Sequence, residues 1–166
     1  MDTSFEVLER GPAVLYGDCS GIWVMILHRR PSVVDMELAR PALKSMHERH
    51  PDGFPTLTWV LPEAGWSMDA DARQTAAAVT KAFDAAILTM ANVVEGEGFA
   101  AAAVRAIVAG IDLLSRAAAP KKTFKKLDDA VAWCASRRPT RDRSGTNDAM
   151  ISAISAIRTG LASSTG

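Results

Sequence analysis

Strands and helices alternate along the chain, as judged from the spacing of its apolar residues. The alternating segment from Phe5 to Leu8 predicts a half-buried strand, and the continuous apolar run from Ile22 to Leu27 predicts a strand buried on both faces. Similar patterns predict further strands at 13–16, 56–61, 87–94 and 122–124. An N-terminal hairpin followed by this alternation predicts a single α/β domain, in which about four helices cover a mainly parallel sheet.

The helices of this domain begin and end at recognisable residues. Ser32, with Asp35 three residues later, forms a capping-box pattern, and Pro41 should delay the regular helix that follows. We expect Ser67 to cap the next helix. A longer helix should end at Pro120 and turn one apolar stripe inward, made of Phe99, Ala103, Ile107, Ile111, Leu114 and Ala118.

The composition changes after Ser136. Residues 1–136 form the predicted domain, residues 137–147 read as an exposed polar linker, and residues 148–166 predict an amphipathic C-terminal helix capped by Thr146 or Asn147. The apolar residues of this helix recur every three or four positions. A helix of this length needs a surface to lie on, either its own domain or a groove on another chain. These residues are therefore the candidate partner-binding set: Ile151, Ile154, Ile157 and Leu161.

The overall charge excludes some partners. Nineteen basic side chains balance nineteen acidic ones, which argues against nucleic acid or an anionic membrane as the main partner. No apolar run reaches the ~20 residues that span a bilayer. The N-terminal segment lacks the apolar core of a signal peptide. Cys19 and Cys134 form no CxxC pair, so reduced thiols and a cytoplasmic location are expected.

No catalytic, metal-binding or cofactor-binding residues are predicted. Cys19 lies in a glycine-flanked turn without an identifiable base, and His47 and His50 lack further ligands at metal-binding spacing. Gly96-Glu97-Gly98 is a strand-to-helix turn that lacks the third glycine of a nucleotide-binding motif. A basic cluster either protects an edge strand or contacts an acidic partner or lipid headgroup; it comprises Lys121, Lys122, Lys125 and Lys126.

The layout of residues 5–136 resembles the STAS domain family, particularly its stand-alone bacterial members that act as anti-sigma-factor antagonists. The resemblance rests on the strands through Ile22–Leu27, the junction at 59–71, and Thr123-Phe124 followed by Leu127-Asp128-Asp129-Ala130. The segment 93–105 is similar to uncharacterised bacterial proteins of this type. The resemblance implies a regulatory protein that docks on a kinase or a scaffold. It also implies Ser67 as the candidate phosphorylation position, although the usual Asp-Ser-Ser-Gly sequence is absent there.

Three functions follow from these observations. The first is a non-enzymatic regulatory or scaffolding module that binds another protein or a second copy of itself. The second is a small-ligand or lipid carrier with a pocket beside the Phe99–Leu114 helix. The third is an enzyme with an unfamiliar site.

Overall fold

One mixed sheet of six strands organises the computed structural model, which describes residues 3–65 and 67–163. The strands lie side by side in chain order; β1 to β3 are antiparallel, whereas β3 to β6 are parallel. This topology confirms the predicted single α/β domain with a mainly parallel sheet. The strands are β1 (Phe5–Arg10), β2 (Val14–Cys19), β3 (Ile22–Leu27), β4 (Phe54–Val60), β5 (Ile87–Val94) and β6 (Lys121–Phe124).

Helices cover both faces of the sheet. The first four α-helices connect the parallel strands on one face, and the last two lie on the other. Among the described residues, none of these helices combines the length and apolar character needed to cross a membrane. The helices are α1 (Val33–Glu37), α2 (Ala39–Arg49), α3 (Ala70–Ala82), α4 (Phe99–Ser115), α5 (Leu127–Arg137) and α6 (Asn147–Ser163), with short 3₁₀ turns at Pro62–Ala64 and Thr140–Asp142.

The predicted capping box at the start of α1 is present. The Asp35 amide donates to Ser32 Oγ over 3.3 Å, and the Ser32 amide donates to Asp35 Oδ2 over 2.9 Å. The buried Asp35 also accepts a hydrogen bond from the Ala13 amide, which ties the helix start to the first hairpin. Pro41 lies in the first turn of α2, where backbone N–H groups have no acceptor within the helix. The N–H that proline lacks therefore costs the helix no hydrogen bond.

Alternate residues of each strand face the two helical layers. In β3, Trp23 and Leu27 face α1 to α4, whereas Val24 and Ile26 face α5 and α6. The sheet therefore has two separate cores, and the two layers can differ in how tightly they pack.

Two predicted helix boundaries are wrong. The backbone at Asp69 is still extended, so α3 begins at Ala70 and Asp69, not Ser67, is the N-cap residue. Helix α4 ends at Ser115 and not at Pro120, because Arg116 adopts the left-handed conformation. The chain beyond it is held by Asp84, whose Oδ1 accepts the Ala118 amide hydrogen bond over 2.9 Å.

Candidate functional site

The candidate partner-binding residues of the C-terminal helix pack against the chain's own sheet. Ile154 is fully buried (0% exposed), and Ile151, Ile157 and Leu161 are partly buried against the same core. Arg158 fixes the far end of α6 through an ion pair of 3.0 Å with Glu95. Of the two alternatives that the sequence left open, the structure shows the one in which the helix folds back on its own domain. The last three residues of the predicted tail, 164–166, lie outside the described residues.

The segment over residues 137–147, which the sequence predicts as an exposed polar linker, is anchored to the domain at one buried side chain. Most of its side chains are exposed, but Arg138 is 4% exposed and its Nη1 donates to the backbone carbonyls of Ser20, Asp142 and Ser144. No sequence pattern indicates this anchor, because its acceptors are backbone atoms, one of them 118 positions away. The cap of α6 is Thr146, whose Oγ1 accepts the Ala149 amide hydrogen bond.

A polar cluster beside this anchor contains His50. Its Nε2 lies 3.0 Å from Asp18 Oδ2, and its Nδ1 lies 3.3 Å from Asp142 Oδ1. No serine hydroxyl or cysteine thiol of the described residues bonds to either nitrogen. The cluster thus joins the end of β2 to the C-terminal segment. His47 is exposed on α2, away from this cluster, and no His, Cys, Asp and Glu group of the described chain is arranged to hold a metal ion.

Cys19 does not have the properties of a nucleophile. Burial, and secondarily the nearby Asp18 carboxylate, raise the pKa of its thiol to about 12. Burial likewise raises the pKa of Cys134 to about 12. Both thiols are therefore protonated at neutral pH, and neither is in a disulfide.

The glycine turn before α4 is occupied by the chain's own side chains. Gly96 and Gly98 have φ angles of 83° and 89°, which glycine adopts without strain. Arg105 donates to the Gly96 carbonyl, and Glu97 pairs with Lys125 at 2.7 Å. Lys122 lies over the Phe124 ring on the edge strand β6. Two members of the basic cluster, Lys122 and Lys125, therefore have partners within the chain itself.

Ser67 lies in the exposed loop between β4 and α3. Its side chain lines the mouth of an internal cavity, and Arg30 pairs with Asp69 two residues further along. Trp66, which belongs to the same predicted junction, lies outside the described residues. Ser67 is accessible, but its phosphorylation stays a prediction.

Helix α4 differs from the other helices, because it is apolar on nearly all sides and yet exposed. A helix of this kind is normally buried. Phe99 and Leu113 are 78% and 79% exposed, which corrects the prediction that Phe99 and Leu114 face inward. We use the term α4 outer face for the exposed residues at spacings of three and four: Phe99, Ala102, Ala106, Ala109 and Leu113.

Beneath α4 lies a cavity of about 100 Å³. Strands β3 to β5 form its floor, α3 forms a wall, and Val104, Ile107, Val108 and Ile111 of α4 form its roof. An inner extension of about 60 Å³ shares much of this lining and reaches Trp23. We call this space the methionine cavity after four of its lining residues: Met25, Met36, Met68 and Met90.

Two polar side chains lie together on the floor of the methionine cavity. Thr58 and Asn92 are direct neighbours across the parallel pair of β4 and β5. Asn92 is 6% exposed, and its Nδ2 has no hydrogen-bond partner among the described residues. The carrier hypothesis placed a pocket beside α4, but sequence patterns could not identify its lining, which comes from segments spread over residues 25–112.

Known proteins offer no further guide to this geometry. No family model matches the chain, and neither the search of curated proteins nor that of solved structures finds a match.

Proposed function

We propose that the chain is a non-catalytic regulatory or scaffolding module that binds another protein, and that the α4 outer face is its docking surface. The observation that carries the proposal is the exposure of an apolar helix. Large apolar side chains such as Leu113 are normally covered when they belong to a continuous apolar surface. The partner-binding element that the sequence favoured, α6, is already engaged with its own domain.

The shape of the α4 outer face suits a helical partner. Three alanines lie between two large side chains, and their spacings of three and four follow one side of the helix. Small residues leave holes that accept large side chains of a second helix at short interaxial distance. Within Phe99–Ser115, Arg105 and Asp112 are the charged residues. The surface is therefore recognised through apolar contact, with little electrostatic contribution.

The resemblance to STAS domains supports the same class of function. It implies a kinase or a scaffold as the partner, with exposed Ser67 as the candidate phosphorylation position; self-association with a second copy of the chain is the alternative. The alternation of strands and helices after the first hairpin fits this resemblance. We place this function in the cytoplasm, which the two buried free thiols support.

Site-specific crosslinking tests the proposal. A photoreactive benzoylphenylalanine in place of Ala106 should form a defined crosslinked product with the partner in the cells that produce the chain. The same group in place of Ala132, an exposed residue of α5 on the opposite side of the sheet, is the matched control. It should give no such product, because it lies outside the docking surface.

A second variant separates docking from folding. Leu113→Glu places a charge on the α4 outer face without disturbing the core, since Leu113 is mostly exposed. We expect it to abolish the crosslink from position 106 while the far-UV circular dichroism stays unchanged. Equal crosslinking from positions 106 and 132, or a crosslink that survives Leu113→Glu, would contradict the proposal. Light scattering of the purified chain shows whether the partner is a second copy.

A further inference from the structure

The methionine cavity has an unused hydrogen-bond donor. Buried polar groups in proteins are nearly always hydrogen-bonded, because an unpaired one loses its contact with water and gains nothing in return. Asn92 Nδ2 is buried without a partner among the described residues, on the floor of the cavity. The indole Nε1 of Trp23, which lines the inner extension, is likewise buried without a hydrogen-bond partner among the described residues. Both atoms are donors, so what they lack is an acceptor.

The remaining lining suits a small apolar molecule. The cavity measures about 100 Å³ and its extension about 60 Å³. Taken together, they are close in volume to a cavity of roughly 150 Å³ that accepts benzene. Methionine side chains are unbranched and polarizable, and they adapt to ligands of different shape. The roof residues of α4 are half-buried, so the roof is less firmly packed than the other face of the sheet.

The charge of the lining excludes an anionic ligand. Among the described residues that line the cavity, Asp112 is the ionisable one, and it is acidic. Burial raises the pKa of its carboxyl group, although Lys121 opposes this shift. A second carboxylate in the cavity would be repelled and desolvated without a cation to pair with.

We propose that the methionine cavity binds a small, neutral, mainly apolar molecule carrying one hydrogen-bond acceptor, such as a ketone or an alcohol. The acceptor receives the hydrogen bond of Asn92 Nδ2, beside Thr58. The apolar body of the ligand lies between the four methionines and the aliphatic side chains of α4. This site is independent of the docking surface, which lies on the opposite side of the same helix.

Methionine methyl resonances provide the test. The protein is labelled with [¹³C-methyl]methionine and titrated with cyclohexanone, or with methylenecyclohexane, which has nearly the same shape but no acceptor. We expect saturable shifts at Met25, Met36, Met68 and Met90, with cyclohexanone binding roughly three- to tenfold more tightly. Met46 and Met150, which are buried elsewhere, are internal controls and should not shift.

The variant Asn92→Leu tests the role of the amide. Leucine is similar in size and removes the donor, so the preference for cyclohexanone over methylenecyclohexane should disappear. Because the substitution also removes an unpaired buried polar group, the unliganded variant should unfold at a higher denaturant concentration than the wild type. A lower midpoint would show that Asn92 has a structural partner, and would overturn the proposal.

A cavity-filling variant locates the binding site. Ile107→Trp places a large side chain in the roof and should eliminate both titrations, whereas Ala132→Trp, on the far side of the sheet, should preserve them. Should Ile107→Trp fail to fold, the wild-type titration remains decisive. Absent shifts, shifts of equal size at Met46 and Met150, or equal affinity for the two probes would each refute the proposal.

Discussion

The strongest prediction concerns Ile154, which the structure places in the core and the sequence offered as a possible contact to a partner. Ile154→Ala removes three carbon atoms from a side chain that is 0% exposed. At about 0.8 kcal/mol per buried methylene group, the lost transfer free energy is about 2.4 kcal/mol. The cavity left behind adds to this, so we expect the free energy of unfolding to fall by about 3–4 kcal/mol.

Urea denaturation followed by far-UV circular dichroism measures this change. With a denaturant dependence of about 1–3 kcal/mol per M, the midpoint should fall by about 1 M or more. Ser152→Ala is the matched control, since Ser152 is exposed on the same helix and its replacement should change the free energy by less than about 0.5 kcal/mol. Equal midpoints for the two variants would show that α6 does not pack on its own domain in solution.

Three further predictions follow from the same contacts. A chain ending at Ser136 should lose its cooperative urea transition, because it lacks the buried side chains of Met150 and Ile154 as well as the Arg138 anchor; a normal transition would contradict this. The hydrogen bond from the Ala118 amide, more than any other contact, lowers the pKa of Asp84 below its ordinary value of 3.8. The charged carboxylate of Asp84 therefore stabilises the fold above pH 3.8, and this stabilisation is lost as the pH falls through the lowered pKa. Asp84→Asn should therefore lower the urea midpoint at pH 7 and have a progressively smaller effect as the pH falls below 3.8, and an effect independent of pH would refute the assignment. Cys19 and Cys134 should resist iodoacetamide at pH 8 until denaturant is added, since their pKa values of about 12 leave almost no thiolate; rapid labelling of the native protein would contradict the burial.

The sheet could be predicted from the sequence because its strands carry their own pattern. Ile22–Leu27 and Ile87–Val94 are found at the predicted boundaries, since mainly apolar segments with β-branched residues fit strands buried on both faces. The start of α1 was predictable for a similar reason, because a capping box is formed by residues three positions apart. These features depend on near neighbours in the chain.

The orientation of α4 could not be predicted in the same way. Periodicity assigns a buried side only when the other side is polar, and this helix has apolar residues nearly all round. The predicted stripe shares Ile107 and Ile111 with the residues that line the cavity, whereas its Phe99 and Leu114 are exposed. The Arg138 anchor and the residues that line the methionine cavity could not be predicted either, because each set joins segments far apart in sequence.

Under the proposed function, the two faces of the sheet separate stability from binding. On one face, α5 and α6 bury Val131, Cys134 and Ile154 completely against the strands, so substitutions there should act mainly on folding. On the other face, α4 contributes Ala101 and Ser115 as its buried residues and leaves a cavity beneath its branched side chains. A helix packed so loosely adds little to the free energy of folding, and its apolar composition must therefore be explained by what it contacts on either side. We infer that substitutions in α4 should alter binding at a small cost in stability, whereas substitutions in α6 should do the reverse.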